Sequence, residues 1–203
     1  MKINICYEIA DQPYGGGNQF LKALREEFSL MEGLYTEDPG QADIILFNSH
    51  HSIQQLLECK EKYPDKLFVH RVDGPMRLYN SMSDERDSIV YQLNDTVANA
   101  TIFQSYWSHK ANLILGMKVN NPYTVIYNAP NESVFNSKYE KEENNKVRLI
   151  ATSWSDNVKK GFKYYDFLDQ NLDFDKYEFY FIGRSPIKFF NINMLGVLGT
   201  KEL

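Results

Sequence analysis

The sequence has few cysteines and no long apolar run. Its two cysteines, Cys6 and Cys59, form neither a CxxC pair nor a Cys/His metal pattern, so we expect both to be reduced and structural. No stretch approaches the roughly 18 apolar residues that a membrane-spanning helix needs. The alternating N-terminus predicts a strand and not a signal peptide. We therefore expect a soluble, cytoplasmic protein, and peripheral contact with a membrane stays open.

The chain also lacks a basic excess, internal repeats and low-complexity tracts. Its net charge of −5 disfavours a nucleic-acid binder, which normally carries a basic domain or patch. In contrast, 43% of the residues are hydrophobic and 14% are aromatic, which is enough for a packed core. The composition and the length of 203 residues therefore indicate a globular protein with one full domain plus a fragment, or with one large domain.

Short apolar runs alternate with amphipathic segments along the whole chain. This pattern predicts a Rossmann-like, doubly wound α/β fold with a parallel sheet covered on both faces. The predicted strands are 2–7, 43–48, 67–71, 100–104, 123–127, 147–152, 178–182 and 194–198. The predicted helices are 17–28, 53–62, 84–98, 106–115 and 162–170.

A polar, charged stretch at 136–146 separates two parts of the chain. We interpret it as a linker between an N-terminal domain, 1–135, and a partial second domain, 147–203; a surface loop is the alternative. Three strands with helices on one face would leave the second domain with an uncovered face.

A glycine-rich loop follows the first strand and opens the first helix. It contains Gly15, Gly16, Gly17 and Asn18. Glycines allow close approach of the backbone to a ligand, and helix N–H groups favour a negative or polar group. The loop is not the GxGxxG dinucleotide fingerprint. An acceptor or phosphate loop is our prediction, and a simple strand-to-helix turn is the alternative.

Polar residues also follow the second and third strands. His70, Arg71 and Asp73 lie where the third strand ends, at the edge of an open α/β sheet where ligands bind. We predict catalytic roles for His70 and Asp73, in sugar binding or proton transfer; an Arg71–Asp73 ion pair that orders the loop is the alternative. We expect four residues at the end of the second strand to join this site, namely Asn48, Ser49, His50 and His51; a pair of loop histidines without a role is the alternative. A metal site is not expected, because no third ligand is suitably spaced from His50 and His51.

A basic pair precedes the helix of the second part. Lys159 and Lys160 oppose the helix dipole at this position, which a bound diphosphate would explain. A solvated basic pair is the alternative. Together with these lysines, the predicted donor-binding residues are Ser153, Gly183 and Arg184.

These motifs together resemble a known family. The chain looks like a retaining, two-domain glycosyltransferase of the GT-B type, group 1 and family-4-like, that ends within its C-terminal domain. The resemblance rests on the Gly-Gly-Gly-Asn loop, the His-Arg-Val-Asp-Gly segment 70–74, and the segments 103–107, 125–135, 153–161 and 181–184. It spans nearly the whole chain.

The resemblance implies an acceptor-binding first domain and a second domain that binds a nucleotide-sugar donor, with the two facing each other across a cleft. Lys160 matches the family's phosphate-binding lysine. No metal or other cofactor is expected. The acceptor would be a glycan, lipid or protein, and the donor phosphate would help to accept its proton.

Two departures from the family keep an alternative open. Trp154 stands where many members carry an arginine, and the family's two glutamates, spaced E-x7-E, are absent. We therefore expect a fragment, or a chain that a second polypeptide completes. The alternative is a catalytically inactive remnant that binds an acceptor glycan or a partner protein. A nucleotide-binding enzyme such as an epimerase would need the missing dinucleotide fingerprint.

Overall fold

The structure is a computed structural model that describes residues 1–11, 15–131, 135, 144–199 and 202. The chain divides into two compact units. Unit 1 is Met1–Ile9 with Gly16–Ala129, and unit 2 is Ala10–Gly15 with Pro130–Leu203. Most of the predicted linker, 136–146, and part of the segment 125–135 lie outside the described residues.

Unit 1 is built on a parallel sheet. Among the described residues its strands, in spatial order, are β1 (Ile3–Cys6), β2 (Ile44–Asn48), β3 (Leu67–Val72), β4 (Ala100–Phe103) and β5 (Tyr123–Val125). Each neighbouring pair is parallel. The predicted strand positions are confirmed to within two residues.

Five helices connect these strands. They are α1 (Gly16–Leu30), α2 (Ile53–Lys62), α3 (Met76–Tyr79), α4 (Arg86–Thr96) and α5 (Tyr106–Ile114), in the described part of unit 1. The short helix α3 was not predicted. Its first N–H groups, on Met76 and Arg77, donate to the buried carboxylate of Asp87 at 2.7 and 2.8 Å. Because the capping carboxylate belongs to α4, the sequence of α3 itself does not indicate a helix.

The sheet of unit 1 is doubly wound about β1. On one side β1 pairs with β2, and on the other Ile3 forms an isolated parallel bridge with Tyr35. The chain thus runs from β1 through α1 to the Tyr35 segment, and then crosses to the opposite side to begin β2. Such a reversal is the switch point at which doubly wound sheets bind ligands.

Helices cover both faces of this sheet. On one face, α1 packs Leu21, with Phe20, Leu24 and Phe28, against Ile5 and Leu46. On the other, Leu56 and Cys59 of α2 pack with the buried strand residues Phe47 and Phe68. Cys6 is also buried there, and burial raises the pKa of its thiol to about 12. The predicted fold class is therefore confirmed.

Unit 2 contains a smaller parallel sheet. Its strands are β6 (Val147–Ser153), β7 (Tyr177–Gly183) and β8 (Asn193–Gly196), in this spatial order, and its α-helix is α6 (Phe162–Asn171), in the described residues. A cluster of buried side chains lies against one face, formed by Phe162, Phe179, Phe181, Phe189 and Ile192. On the opposite face Ile150 is exposed, and Arg148 pairs with Glu178 at 3.3 Å.

A buried carboxylate of α6 holds the loop before β8. Asp169 accepts hydrogen bonds from the backbone N–H groups of Phe190, Asn191 and Ile192, at 2.7 to 2.8 Å. Burial raises the pKa of Asp169, but the three backbone donors outweigh burial and lower the pKa below its ordinary value. The anionic side chain therefore stabilises this part of unit 2.

Candidate functional sites

A buried arginine organises the carboxyl edge of the sheet in unit 1. Arg71, in β3, donates through Nη1 to Asn48 Oδ1 at 2.6 Å and to the carboxylate of Asp73. Its Nη2 donates to Gln104 Oε1 at 3.2 Å and to Asn128 Oδ1 at 2.9 Å. Four polar side chains from four strand ends therefore share one guanidinium, which we call the Arg71 network.

The carboxylate of Asp73 is the most accessible charged group of this network. Its Oδ2 accepts from Asn48 Nδ2 and from Ser49 Oγ, both at 3.1 Å. Its side chain is 19% exposed, against 4% for Arg71. Asp73 is thus held by three donors but still faces outward, as a group that binds a sugar hydroxyl must.

The glycine-rich loop reaches the same place. A Cβ atom on Gly17 would lie 3.6 Å from Asn48 Nδ2 and 3.8 Å from Asp73 Oδ2. Asn18 is buried, whereas Gly15 and Gly16 adjoin open space. The structure therefore brings the start of α1 beside Asp73, as expected if both sequence segments serve one site.

His70 lies on the other face of β3. Its ring has no exposed surface and stacks on Phe47, with centroids 4.2 Å apart. Asn94 Nδ2 lies 3.2 Å from Nδ1, and Nε2 lies 3.1 Å from the Ser49 carbonyl oxygen. Because Asn94 is a donor, Nδ1 accepts and Nε2 donates.

This burial lowers the pKa of His70 to about 3, so the ring is neutral. A ring so enclosed has no route to a substrate. The catalytic role of His70 stays a prediction, and the burial of the ring favours a positioning role instead. We interpret His70 as a residue that positions Ser49, which in turn binds Asp73.

The loop after β2 has an unusual backbone. Ser49 and Ser52 adopt positive φ angles, 46° and 51°, which residues other than glycine rarely adopt. Between them, His50 and His51 stack with centroids 4.4 Å apart. Burial lowers the pKa of both rings, to about 4 for His50. Strained loops of this kind often lie at functional sites.

Two members of the Arg71 network were not predicted. Gln104 follows β4 and Asn128 follows β5, so both extend from carboxyl strand ends, as Asn48 does. Their shared position at carboxyl strand ends could have identified both residues as candidates for the site. The contacts themselves were not predictable, because they depend on the length and direction of the buried Arg71 side chain.

The candidate site in unit 2 begins with a close contact between β6 and β7. Arg184 N donates to the Ser153 carbonyl oxygen at 2.8 Å. Gly183 has a φ of 116°, and a Cβ atom there would lie 1.9 Å from that same oxygen. Only glycine fits. The structure thus brings together three of the predicted donor-binding residues, Ser153, Gly183 and Arg184.

The two lysines occupy a turn between β6 and α6. Lys159 and Lys160 are exposed and end a 3₁₀ helix, Val158–Lys160, that Asn157 caps by accepting from Lys159 N at 2.9 Å. Gly161 then turns the chain with a φ of 88°, and α6 begins at Phe162. Lys160 therefore precedes α6 and does not belong to its first turn.

Trp154 and Arg184 form an unpredicted contact. The Arg184 guanidinium carbon lies 4.4 Å from the centroid of the Trp154 ring. Cation–π contacts of this kind hold an otherwise flexible arginine in place. An exposed cation is thus held beside Trp154.

Two further observations concern metal-binding groups and membrane-spanning helices. Among the described residues, no three His, Cys, Asp or Glu side chains come together as a metal-binding group. None of the helices in the described ranges has both the length and the hydropathy of a membrane-spanning segment.

Comparison with known proteins identifies the fold. No protein-family model matches the sequence, and no curated protein matches it. Among solved structures, Anabaena HepE in complex with UDP-glucose matches with a TM-score of 0.66 and 13% identity, over 98% of this chain and 70% of HepE. The class of fold is thus that of GT-B glycosyltransferases, with Rossmann-like units.

Two structures of OtsA match more weakly. An apo OtsA has a TM-score of 0.50 and 11% identity, over 93% of this chain and 55% of OtsA. A second OtsA, described as trehalose-6-phosphate synthase, also has a TM-score of 0.50, with 13% identity over 85% of this chain and 44% of its own. This chain therefore spans about half of the OtsA chains.

Proposed function

We propose that this chain is a glycosyltransferase, or part of one, that moves a sugar from a nucleotide-sugar donor to a glycan, lipid or protein acceptor. The observation that carries the proposal is the pairing of a GT-B-like fold with polar side chains gathered at the carboxyl strand ends of each unit. Membership of the retaining, family-4-like group is part of the proposal. The bound UDP-glucose of HepE supports the donor class.

The donor side of the proposed reaction lies in unit 2. There Lys159, Lys160 and Arg184 bind the diphosphate, while Ser153 and Gly183 shape the strand ends that hold it. During transfer the bond between the anomeric carbon and the diphosphate oxygen breaks, and the acceptor oxygen bonds to that carbon. Negative charge grows on the leaving diphosphate, where fixed cations stabilise the transition state.

The acceptor side lies in unit 1. Asp73 binds an acceptor hydroxyl, and the loop from Gly16 to Asn18 approaches the same substrate with its backbone. The proton released from the hydroxyl passes to the leaving diphosphate, so that charge balances over the reaction. Arg71 and His70 position Asp73 and Ser49 without contacting the substrate.

The remaining parts of the proposal concern metal and partners. We propose that cations of the chain replace a metal ion, so that activity survives treatment with EDTA. We also propose that further polypeptide, in the same or a second chain, covers the open face of unit 2, where Ile150 is exposed. This open face is unusual for a parallel sheet, which normally has both faces covered.

Nucleotide-sugar binding by the whole chain tests the proposal. Titration calorimetry with UDP-glucose, GDP-mannose, ADP-glucose and dTDP-glucose would compare the original chain with Lys160→Ala. We expect saturable binding of at least one donor and a clear loss of affinity in the variant. In a completed, active enzyme, Lys160→Ala would cost about 2–4 kcal/mol of transition-state stabilisation.

Lys176→Ala is the matched control, because Lys176 is another exposed lysine of unit 2 but directly precedes β7, at the opposite end of that strand from Gly183. It should bind the donor as the original chain does. If none of the four donors binds, or if both variants bind equally, the donor site lies elsewhere or is absent. Saccharide binding without any nucleotide binding would instead favour a glycan-binding remnant.

A further inference from the structure

Three exposed aromatic side chains stand at the carboxyl edge of the sheet in unit 1. Tyr106 and Trp107 begin α5, Tyr127 follows β5, and their exposed fractions are 62%, 60% and 60%. The rings of Tyr106 and Tyr127 meet edge to face, with centroids 6.0 Å apart. We call these three residues the aromatic rim. Clustered, exposed apolar surface of this kind commonly marks a binding site.

The rim adjoins the Arg71 network at one end through Trp107. A Cβ atom on Gly74 would lie 2.6 Å from Trp107 Cζ3, so the indole rests directly on the Gly74 backbone. Ser108 Oγ and Asn112 Nδ2, in α5, donate to the Asp73 carbonyl oxygen at 2.9 and 3.0 Å. These bonds fix the start of α5 beside Asp73.

At its other end the rim adjoins the network through Tyr127. The next residue, Asn128, accepts from Arg71 Nη2 and donates to Gln104 Oε1 at 3.2 Å. Asn128 is therefore held in place, and Tyr127 projects from a fixed point. Tyr127 therefore adjoins Asn128 of the network in sequence, and Trp107 contacts Gly74, which adjoins Asp73.

The chemistry of the combined surface indicates its ligand. The rim side chains are uncharged, and the Arg71 guanidinium is buried and bonded to four side chains, so Arg71 is not available to a phosphate. A pyranose has a C–H face that packs on aromatic rings, and a hydroxyl edge that bonds carboxylates and amides. Such mixed surfaces are typical of sites for neutral polar ligands.

We propose that the aromatic rim is a saccharide-binding subsite, in which a sugar ring stacks on Trp107 and directs a hydroxyl group toward Asp73. Tyr106 and Tyr127 enclose the sugar from the side. The identification of this sugar as the acceptor rests on the proposed function, but binding itself does not. If the bound sugar is the acceptor, then the acceptor is a glycan or a glycosylated molecule.

The chain supplies a direct reporter for this subsite. It has two tryptophans, Trp107 in unit 1 and Trp154 in unit 2, so its ¹H–¹⁵N spectrum contains one indole signal for each unit. Trp107→Phe assigns the two signals. The probes are the methyl glycosides of glucose, galactose, mannose and N-acetylglucosamine at up to about 100 mM, because a single stacked sugar binds with millimolar affinity.

We expect a saturable shift of the Trp107 signal with at least one glycoside, and no matching shift of Trp154. Tyr127→Ala keeps the reporter and should weaken binding by roughly tenfold, as expected for the loss of one aromatic contact. Tyr164→Ala is the matched control, since Tyr164 is equally exposed, at 62%, but lies on α6 of unit 2. It should leave the affinity unchanged.

Absence of a saturable Trp107 shift with all four glycosides would overturn the subsite. An equal effect of Tyr127→Ala and Tyr164→Ala, or none from either, would also overturn it. A parallel titration with UDP-glucose separates this inference from the proposed function. Glycoside binding at Trp107 without any donor binding keeps the subsite and rejects the donor site, and the reverse result does the opposite.

Discussion

The two units place their polar residues in opposite ways. In unit 1, the Arg71 guanidinium is buried and its hydrogen bonds close within the protein, whereas the side chains that it binds range from buried Asn48 to exposed Asn128. In unit 2, the three basic residues stand at the surface, and Arg184 rests on the Trp154 ring. We infer that unit 1 holds a preformed site, whereas unit 2 presents cations to a charged ligand.

The two units also differ in how their sheets are covered. Helices pack on both faces of the sheet in unit 1, but the buried cluster of unit 2 lies on one face only. All four histidines also belong to unit 1. The units should therefore respond differently to mutation and to pH, and the two indole signals allow each response to be followed separately.

The largest expected effect is that of Arg71→Ala. It leaves the Asp73 carboxylate without its ionic partner and leaves the side chains of Asn48, Gln104 and Asn128 without their shared donor. Removing one member of a buried pair costs about 3–5 kcal/mol. Urea unfolding, followed by the Trp107 indole signal, measures this loss in unit 1.

Arg86→Ala is the control for that measurement. Arg86 also pairs with an aspartate, Asp84, at 2.6 Å, but its own side chain is 43% exposed. Pairs of this exposure contribute about 0–1 kcal/mol. Equal losses for the two variants would show that the Arg71 network does not hold unit 1 together.

In unit 2 the corresponding test is Gly183→Ala. The added Cβ atom would meet the Ser153 carbonyl oxygen at 1.9 Å, and the φ of 116° would be strained. We expect a loss of about 3 kcal/mol, followed by the Trp154 signal. Gly196→Ala is the control, because Gly196 has a φ of 74° but no atom near its Cβ position. It should cost about 1 kcal/mol, and a similar cost at both positions would disprove the close contact.

A fall in pH should lower the stability of unit 1 more than that of unit 2, without any mutation. Burial lowers the pKa of His70 to about 3 and that of His50 to about 4, from 6.5. Below pH 6.5 the unfolded chain therefore binds protons that folded unit 1 does not bind, so unit 1 loses stability as the pH falls. The loss for one such histidine is about 2 kcal/mol at pH 5.

Unit 2 has no histidine and should keep its stability down to pH 5. Its buried Asp169 has a lowered pKa, so the stability that this carboxylate contributes is lost only as the pH falls below the ordinary aspartate value of 3.8. Unfolding curves at pH 7 and pH 5, read from both indole signals, measure the difference. Equal losses in the two units would contradict the assignment of neutral, buried histidines.

The smallest expected effect is that of Trp154→Ala on donor binding. The cation–π contact with Arg184 is worth about 0.5–1 kcal/mol at an exposed site, which corresponds to a few-fold loss of affinity for UDP-glucose. Trp154→Phe should restore most of the affinity, because it keeps an aromatic face. Unchanged affinity in Trp154→Ala, measured by calorimetry, would mean that Arg184 does not depend on this ring.

Much of the fold was predictable because its signals are local. The apolar runs of β1 to β8 and the amphipathic faces of the longer helices, such as the Leu21 and Leu24 face of α1, are visible in the sequence. The Tyr35 bridge was not predicted, since only one residue pairs and no strand pattern surrounds it.

The strand ends that carry the candidate residues were predictable, but the contacts among these residues were not. Alternation along β3 places His70 with Phe68 and Val72 on one face, and Arg71 on the other. That pattern was available and argues for a buried His70. By contrast, Arg71 pairs with Gln104 and Asn128, and Arg184 contacts Trp154, through long side chains. The conformations of such side chains depend on the three-dimensional packing and not on the local sequence.

The central claim is that unit 2 binds a nucleotide sugar through the residues around Lys160 and Arg184. The most direct measurement is a titration of the whole chain with UDP-glucose, read from its two indole signals. We predict a saturable shift of the Trp154 signal, with loss of affinity in Lys160→Ala but not in Lys176→Ala. No shift of Trp154 at saturating UDP-glucose, or a shift confined to Trp107, would contradict the claim.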